Sequence, residues 1–349
     1  MLERRRRGRS GAAVAAFAVV AALAACSGGA KHAAAPTPSA SPSPSPTPTA
    51  TPTTPPLLAT LDGRPPAHGR VVVIKVDNAP SARPLQKGFA HAPVVYQEVI
   101  EGEATRFAAV FVGAGSPEVG PIRSARDTDI ELFAEYGPVV FGFSGANAHV
   151  LRHVDASPLI PVPQERYDAA YILRGRRAEA FNYYTSTRLL LGAAPHRGVG
   201  VRDVGLRFGP ALPGGVPTHG TVTVRFNGAP YVTFSYDRRH HGWLLTQNGR
   251  PMQLADGTAV EPQNVVVQFV RVVRGRYADV LGNNSPDTHS IGAGRAVVFR
   301  DGARYDGRWH RPMRTSPTHF LSPDGSDILL RPGGQTWVLL VPADGTITG

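Results

Sequence analysis

Cysteine is almost absent from this chain. Its 349 residues contain one, Cys26, so no internal disulfide can form. Exported proteins often use such bonds, and here any exported domain must stand on its core alone. Cys26 lies upstream of a Pro-rich stretch, which removes it from any folded catalytic site. An apolar run of the roughly 20 residues that span a bilayer is missing from the N-terminus, where residues 11–25 supply only about 15. No Gly-rich loop precedes a helix to cradle phosphates, and the glycines mark turns instead; no cofactor is expected. Ser124 lacks the Gly-x-Ser-x-Gly setting of a nucleophile elbow, which argues against a serine hydrolase. His149 and His153 have the i, i+4 spacing of half a metal site, but no nearby Glu or third His completes it, so no metal is expected. Acidic residues are the minority, 26 against 37 Lys and Arg, for a net charge of +11. The arginines are spread along the chain rather than interleaved with aromatics, which argues against nucleic acid as a partner.

The N-terminus is read first. Arg4–Arg7 and Arg9 precede the apolar run, and Leu23-Ala24-Ala25-Cys26 resembles a bacterial lipobox. Residues 1–25 then form a signal peptide, and Cys26 becomes the lipidated first residue of the mature chain. Its loss leaves a net charge of +7, suited to anionic wall polymers or lipid headgroups. Residues 36–56 are almost entirely Pro, Ser, Thr and Ala, the composition of an extended polyproline tether reaching roughly 65 Å at about 3.1 Å per residue. The chain thus divides into a signal peptide (1–25), a lipidated Cys and tether (26–58), a mixed α/β domain (59–212) and a β-rich domain (213–349).

In the first folded segment, residues 71–76 form a continuous apolar run broken only by Lys75, which predicts a buried strand. Asp77-Asn78-Ala79-Pro80 ends it as a turn. Further strands are predicted at 94–100, 106–112, 139–143 and 171–173, and helices from Ser124, from Ser144 to about 154, and over 185–192. Arg123 and Arg126 place two cations at a helix N-terminus, where the dipole is positive and disfavours them. Either a bound anion or an internal carboxylate (Asp77, Glu98, Glu101, Glu103, Asp127 or Asp129) must compensate. Glu98 and Glu101 also permit a carboxylate pair for glycoside chemistry. Their three-residue spacing points them to opposite faces of a regular strand, so a bulge or strand end must intervene.

From about residue 218 the pattern changes to short strands, expected at 221–226, 231–236, 243–246, 265–272, 296–299, 328–330 and 337–341. Asn227-Gly228, Asn248-Gly249, Asp256-Gly257, Asp301-Gly302 and Asp324-Gly325 supply the turns. An antiparallel sandwich or barrel follows, giving an α+β protein overall. Trp337, in an apolar strand, belongs in the core. Trp309, between Arg308 and His310, is the candidate for a surface aromatic that stacks on sugar.

Val76-Asp77-Asn78, Ala82-Arg83-Pro84, Tyr96-Gln97-Glu98, Glu101-Gly102 with Thr105-Arg106-Phe107, and Gly120-Pro121-Ile122-Arg123-Ser124-Ala125-Arg126 occur in this order. Together they resemble the YerB-like lipoprotein family, a bacterial family of unknown function. Residues 264–268, 292–294, 301–302, Trp309 and 332–337 resemble its second domain, so the likeness covers roughly 70–342. In Asn182-Tyr183-Tyr184-Thr185-Ser186, Phe181 stands where the family segment carries His, which weakens an enzymatic reading. The resemblance implies a two-domain extracytoplasmic lipoprotein and carries no reaction with it. The residues expected to form a ligand site are Asp77, Asn78, Arg83, Glu98, Glu101, Arg106, Arg123, Ser124 and Arg126. The expected setting is the outer face of the cell membrane, anchored there through Cys26. Anionic wall polymer, peptidoglycan or envelope proteins are the expected partners. A wall-directed glycan hydrolase or transferase using the carboxylate pair is the alternative.

Overall fold

The structure, a computed structural model, describes residues 60–65, 68–176, 181–198, 200–228, 230–278 and 282–349. The signal segment, Cys26 and the tether lie outside the described residues. The first segment supplies strands β1 (Val71–Asp77), β2 (Val94–Ile100) and β3 (Ala104–Val112), helix α1 (Asp127–Leu132), β4 (Val140–Phe143), α2 (Ala148–Asp155), β5 (Ile160–Pro163), the short pair β6 (Ile172–Leu173) and β7 (Tyr183–Tyr184), and α3 (Thr187–Ala193). Strands β8 (Val216–Pro217), β9 (Thr221–Arg225), β10 (Tyr231–Asp237), β11 (Gly242–Gln247), β12 (Arg250–Pro251), β13 (Asn264–Ala278) and β14 (Asn284–His289) follow. Then come β15 (Gly292–Arg300), β16 (Ala303–Arg311), β17 (His319–Leu321), β18 (Thr336–Pro342) and β19 (Thr346–Thr348).

The protein is mostly β. One 12-stranded sheet runs β17-β16-β15-β13-β18-β2-β3-β1-β4-β5, with β14 on β13 and β8 on β16. Strand β1 is buried along its whole length, Lys75 and Asp77 included, as a Val/Ile-rich strand covered on both faces should be. Side chains alternate across the sheet. Val73, Tyr96, Val110, Val266 and Val338 pack with Ile130, Phe133 and Val150 of the helical side. Val72, Phe107, Val265, Phe299 and Trp337 point the other way, toward a five-stranded antiparallel sheet ordered β12-β11-β10-β9-β19. Between these layers Phe234, Trp243 and Phe299 meet at centroid distances of 4.9–5.8 Å. Each such fully buried side chain contributes about 1.5–3 kcal/mol.

The α+β expectation is met in its coarse form, and its details need correcting. The strands after residue 213 do not make a purely antiparallel sandwich. Strand β18 runs parallel to β13 on one side and to β2 on the other, so the two segments share one mixed sheet. An apolar strand near a chain end is free to return to the sheet centre, and its sequence does not say which edge it joins. Residues 328–330 form no strand; Leu330 makes only a single bridge to Phe208. Trp309 is buried rather than exposed, and its indole N–H donates to Phe269 O at 2.7 Å. Helix α1 starts after Arg126 rather than at Ser124. The Asp129 carboxylate accepts from the Arg126 backbone N–H at 2.7 Å, which is the acidic half of a capping box. Asn147, not Ser144, caps α2 through its side chain, and Ser186 caps α3. Of the turn pairs, Asn248-Gly249 and Asp301-Gly302 have both residues at positive φ, as a type I′ turn requires.

Candidate functional site

The expected site residues collect at one end of the central strands. Asp77 of β1 lies opposite Arg106 of β3, which lies opposite Glu98 of β2. Directly paired residues share a face, so this row and Lys75, two residues before Asp77, look toward the helical side. The segment 119–123 then runs along the end of β1. Ile122 bridges Val76, and the backbone N–H groups of Asp77 and Arg123 donate to Pro121 O and Lys75 O. Gly120 permits this course, because a Cβ there would sit 2.6 Å from the Tyr184 ring. The path delivers Arg123 to Asp77, and the start of α1 brings Arg126 and Asp129.

The result is a network of four cations and four carboxylates. Lys75, with no exposed surface, bonds Glu98 Oε1 and reaches Asp129 Oδ1 at 2.8 Å. Arg126 donates to Glu101 Oε2 from Nε (3.1 Å) and Nη2 (2.6 Å), and Ser285 Oγ donates to Glu101 Oε1. Glu101 follows the end of β2 in a 3-10 turn, which supplies the strand end its spacing demanded. Arg123 Nε lies 2.6 Å from Asp77 Oδ2, yet the pair is not aligned for a hydrogen bond. Ser124 contributes its carbonyl, not its hydroxyl, accepting from Arg106 Nη1 at 3.1 Å. Asp127 and Glu103, two of the suggested compensating acids, stay outside: Asp127 pairs with His153 at 2.9 Å, and Glu103 packs beside Gly228. His149 stacks on Tyr277 at 4.4 Å. Among the described residues no cluster of three His, Cys, Asp or Glu could hold a metal.

Two of the expected residues lie on the opposite face. Asn78 donates to Thr105 Oγ1 at 2.7 Å and accepts from Arg83 Nε at 3.2 Å, with Gln97 also on Thr105 Oγ1. The one-residue step from Asp77 to Asn78 accounts for the separation.

Arg106 stands out within the network. It is 6% exposed, and its Nε has no hydrogen-bond partner among the described residues. Burial first, then the nearby Arg126, pushes its pKa down to about 10. The Glu98 carboxyl is pushed up to about 7 by burial, against the pull of Lys75. Arg123, with 36% of its side chain exposed, is the most open cation of the group. Its guanidinium lies 5.0 Å from the Phe181 ring centroid, and Phe181 has φ of +66°.

A second buried charge cluster escaped sequence reasoning. Arg311 of β16 and Glu135 in the turn after α1 are both almost inaccessible, with Nε and Oε2 3.7 Å apart. Glu135 Oε2 accepts from Thr318 Oγ1 at 2.7 Å, and Tyr96 and Tyr136 join hydroxyls at 2.9 Å beside it. Burial pushes Glu135 up to about 7. A carboxyl whose folded pKa exceeds its unfolded value keeps more protons in the native state between about pH 4.5 and 7. Its stabilising contribution is therefore full below that window and is lost as pH rises through it. Urea midpoints measured from pH 5 to 7.5 should fall less steeply in Glu135→Gln than in the parent. An unchanged slope would show that Glu135 is already ionised across this range.

The chain matches, over residues 59–200, the N-terminal domain of a protein family described as "Protein of unknown function (DUF3048)". Over residues 222–338 it matches the C-terminal domain of the same family. The chain belongs to this family. It is 24% identical to "Putative lipoprotein YerB" of Bacillus subtilis (strain 168) over 283 residues, covering 78% of this chain and 81% of the relative. The crystal structure of YerB protein from Bacillus subtilis superimposes with a TM-score of 0.68 at 22% identity, covering 84% of this chain and all of the other. That likeness supports the fold. The family is one of unknown function, and the lipoprotein name belongs to the relative. Among the described residues no helix is long and apolar enough to cross a membrane.

Proposed function

We propose that this protein is a ligand-binding lipoprotein of the cell envelope, held on the outer face of the membrane through Cys26, with an anion-accepting corner at Arg106 and Arg123. The observation that carries this reading is the incomplete pairing of Arg106: a nearly buried guanidinium with an unbonded Nε, beside two further arginines. Buried polar groups are normally satisfied, and an oxyanion reaching past the half-buried Arg123 would supply an acceptor. The local charge supports it. Four cations balance four carboxylates only when Glu98 is ionised, and burial raises Glu98 to about 7, so the cluster gains positive charge as pH falls through that value. Phe181 beside Arg123 adds an aromatic wall in a backbone conformation that is costly for a non-glycine residue. The basic mature chain and the tether suit an anionic wall polymer as partner. The hydrolase alternative has less support, since Glu98 is bound to Lys75 and Glu101 to Arg126 and Ser285.

The test is co-sedimentation of the full chain, purified in detergent, with isolated cell wall across a salt series. Binding should weaken with salt, and Arg123→Ala should weaken it by about tenfold, the loss of one charge-assisted contact. No sugar should appear in the supernatant. Binding indifferent to Arg123 would remove the proposed corner, and released sugar would restore the hydrolase reading.

A further inference from the structure

The opposite face of the sheet holds a cavity of about 410 Å³ between the segment around Arg83 and the hairpin that joins β11 to β12. Its size falls within the roughly 300–1,000 Å³ of small-molecule sites. Two guanidinium groups line it, Arg83 and Arg250, and no Asp or Glu does. Neither arginine makes an ion pair among the described residues, where the Arg83 guanidinium donates only to the neutral Asn78. The two are close enough that Arg250 joins burial in lowering the Arg83 pKa. Like charges placed together without a counter-charge cost stability unless something binds between them.

A second observation points the same way. Gln247, at the end of β11, also lines the cavity and is 1% exposed, yet its Nε2 has no hydrogen-bond partner. Its Oε1 is occupied by Gln97 at 3.2 Å, so what remains to it is a donor. The type I′ turn at Asn248-Gly249 fixes the position of Arg250. The charged groups of the lining are therefore both cations, the unbonded Gln247 Nε2 adds a donor, and Pro84 and Met252 add apolar surface. Paired N–H groups of a guanidinium match the two oxygens of a carboxylate.

We propose that this cavity binds a small organic carboxylate, with Arg83 and Arg250 holding the anion, Gln247 donating to it, and the Pro84–Met252 wall packing on its body. It is a site separate from the Arg106 corner and does not depend on that reading. A carboxylate could come from a sugar acid or from a peptide C-terminus, and the experiment separates them. The full chain in detergent is titrated calorimetrically with D-glucuronate, N-acetyl-dialanine, the uncharged N-acetyl-dialanine amide and inorganic phosphate. One of the two carboxylates should bind saturably, and the amide should not. Arg83→Ala and Arg250→Ala should each raise Kd by about tenfold or more, as loss of a charge-assisted contact does. Arg250 is exposed, so its variants are expected to fold, with a thermal melt as the check. Arg250→Glu provides an internal counter-charge for Arg83 and should abolish binding without lowering the melting temperature. The proposal is overturned if neither carboxylate binds, if phosphate or the amide binds as tightly, or if the Arg250 variants bind like the parent.

Discussion

Replacing Lys75 with methionine should cost the fold about 3–5 kcal/mol, the penalty for breaking a buried ion pair by removing one partner. Methionine keeps the stem length, so the cavity term is small, and the loss reports electrostatics. Among the described residues the ammonium is the only cation bonded to either Glu98 or Asp129, and all three are inaccessible. Without it two carboxylates remain beneath the sheet surface, one of them, Asp129, also holding the start of α1 through the Arg126 N–H. Chemical denaturation at pH 7.5 should show the larger loss. Glu98, already raised to about 7 by burial against the pull of Lys75, rises further without the lysine, so at pH 5.5 that carboxyl is protonated and the penalty should shrink. Adding Glu98→Gln to Lys75→Met should recover part of the stability at pH 7.5. Equal losses at both pH values would mean that the lysine matters through packing rather than charge.

Replacing Arg311 with methionine should be of similar size, about 3–5 kcal/mol, for a different reason. The guanidinium donates from Nη1 to Ser290 Oγ at 2.9 Å and from Nη2 to the Glu131 carbonyl at 2.8 Å, with Leu132 O at 3.5 Å. Those carbonyls end α1, where the last C=O groups lack partners within the helix. Strand β16 thus caps a helix some 180 residues earlier in the chain. Its loss also leaves Glu135 without its cation. Arg311→Lys should rescue only part of the stability, since one ammonium cannot serve several acceptors that the planar guanidinium reaches together. Urea unfolding of the two variants would decide this, and full rescue by lysine would show that charge alone is what Arg311 supplies.

Much of the site could be read because its parts are close in sequence. Arg123, Ser124 and Arg126 lie within four positions, and the expected need for carboxylate partners is met by Asp77, Glu101 and Asp129. Asn78 and Arg83 fall on the other face, because a strand sends neighbouring residues to opposite sides; the alternation rule applied to β1 separates Asp77 from Asn78. Lys75 read as a break in an apolar run, when a lysine inside a doubly buried strand is itself a sign of a buried partner. Arg311, Glu135, Gln97 and Gln247 gave no local signal. Glu135 sits in a short turn, and Gln247 ends an ordinary hairpin strand.

By itself the sequence determined what depends on near neighbours. This covers the alternating and continuous apolar strands, the Asn-Gly and Asp-Gly turns whose backbone must reach positive φ, and the glycine that ends the turn after α1. These follow from steric limits and periodicity within a few residues. The tertiary structure decided that β18 enters between β13 and β2, that Trp309 turns inward, and that Arg311 meets Glu135. It also decided that Arg83 faces Arg250 across a cavity without an acid. Strand pairing uses backbone groups that every residue carries, so composition does not name the partner strand. The energy of a charge is set by what surrounds it after folding, and only the assembled sheet supplies that environment.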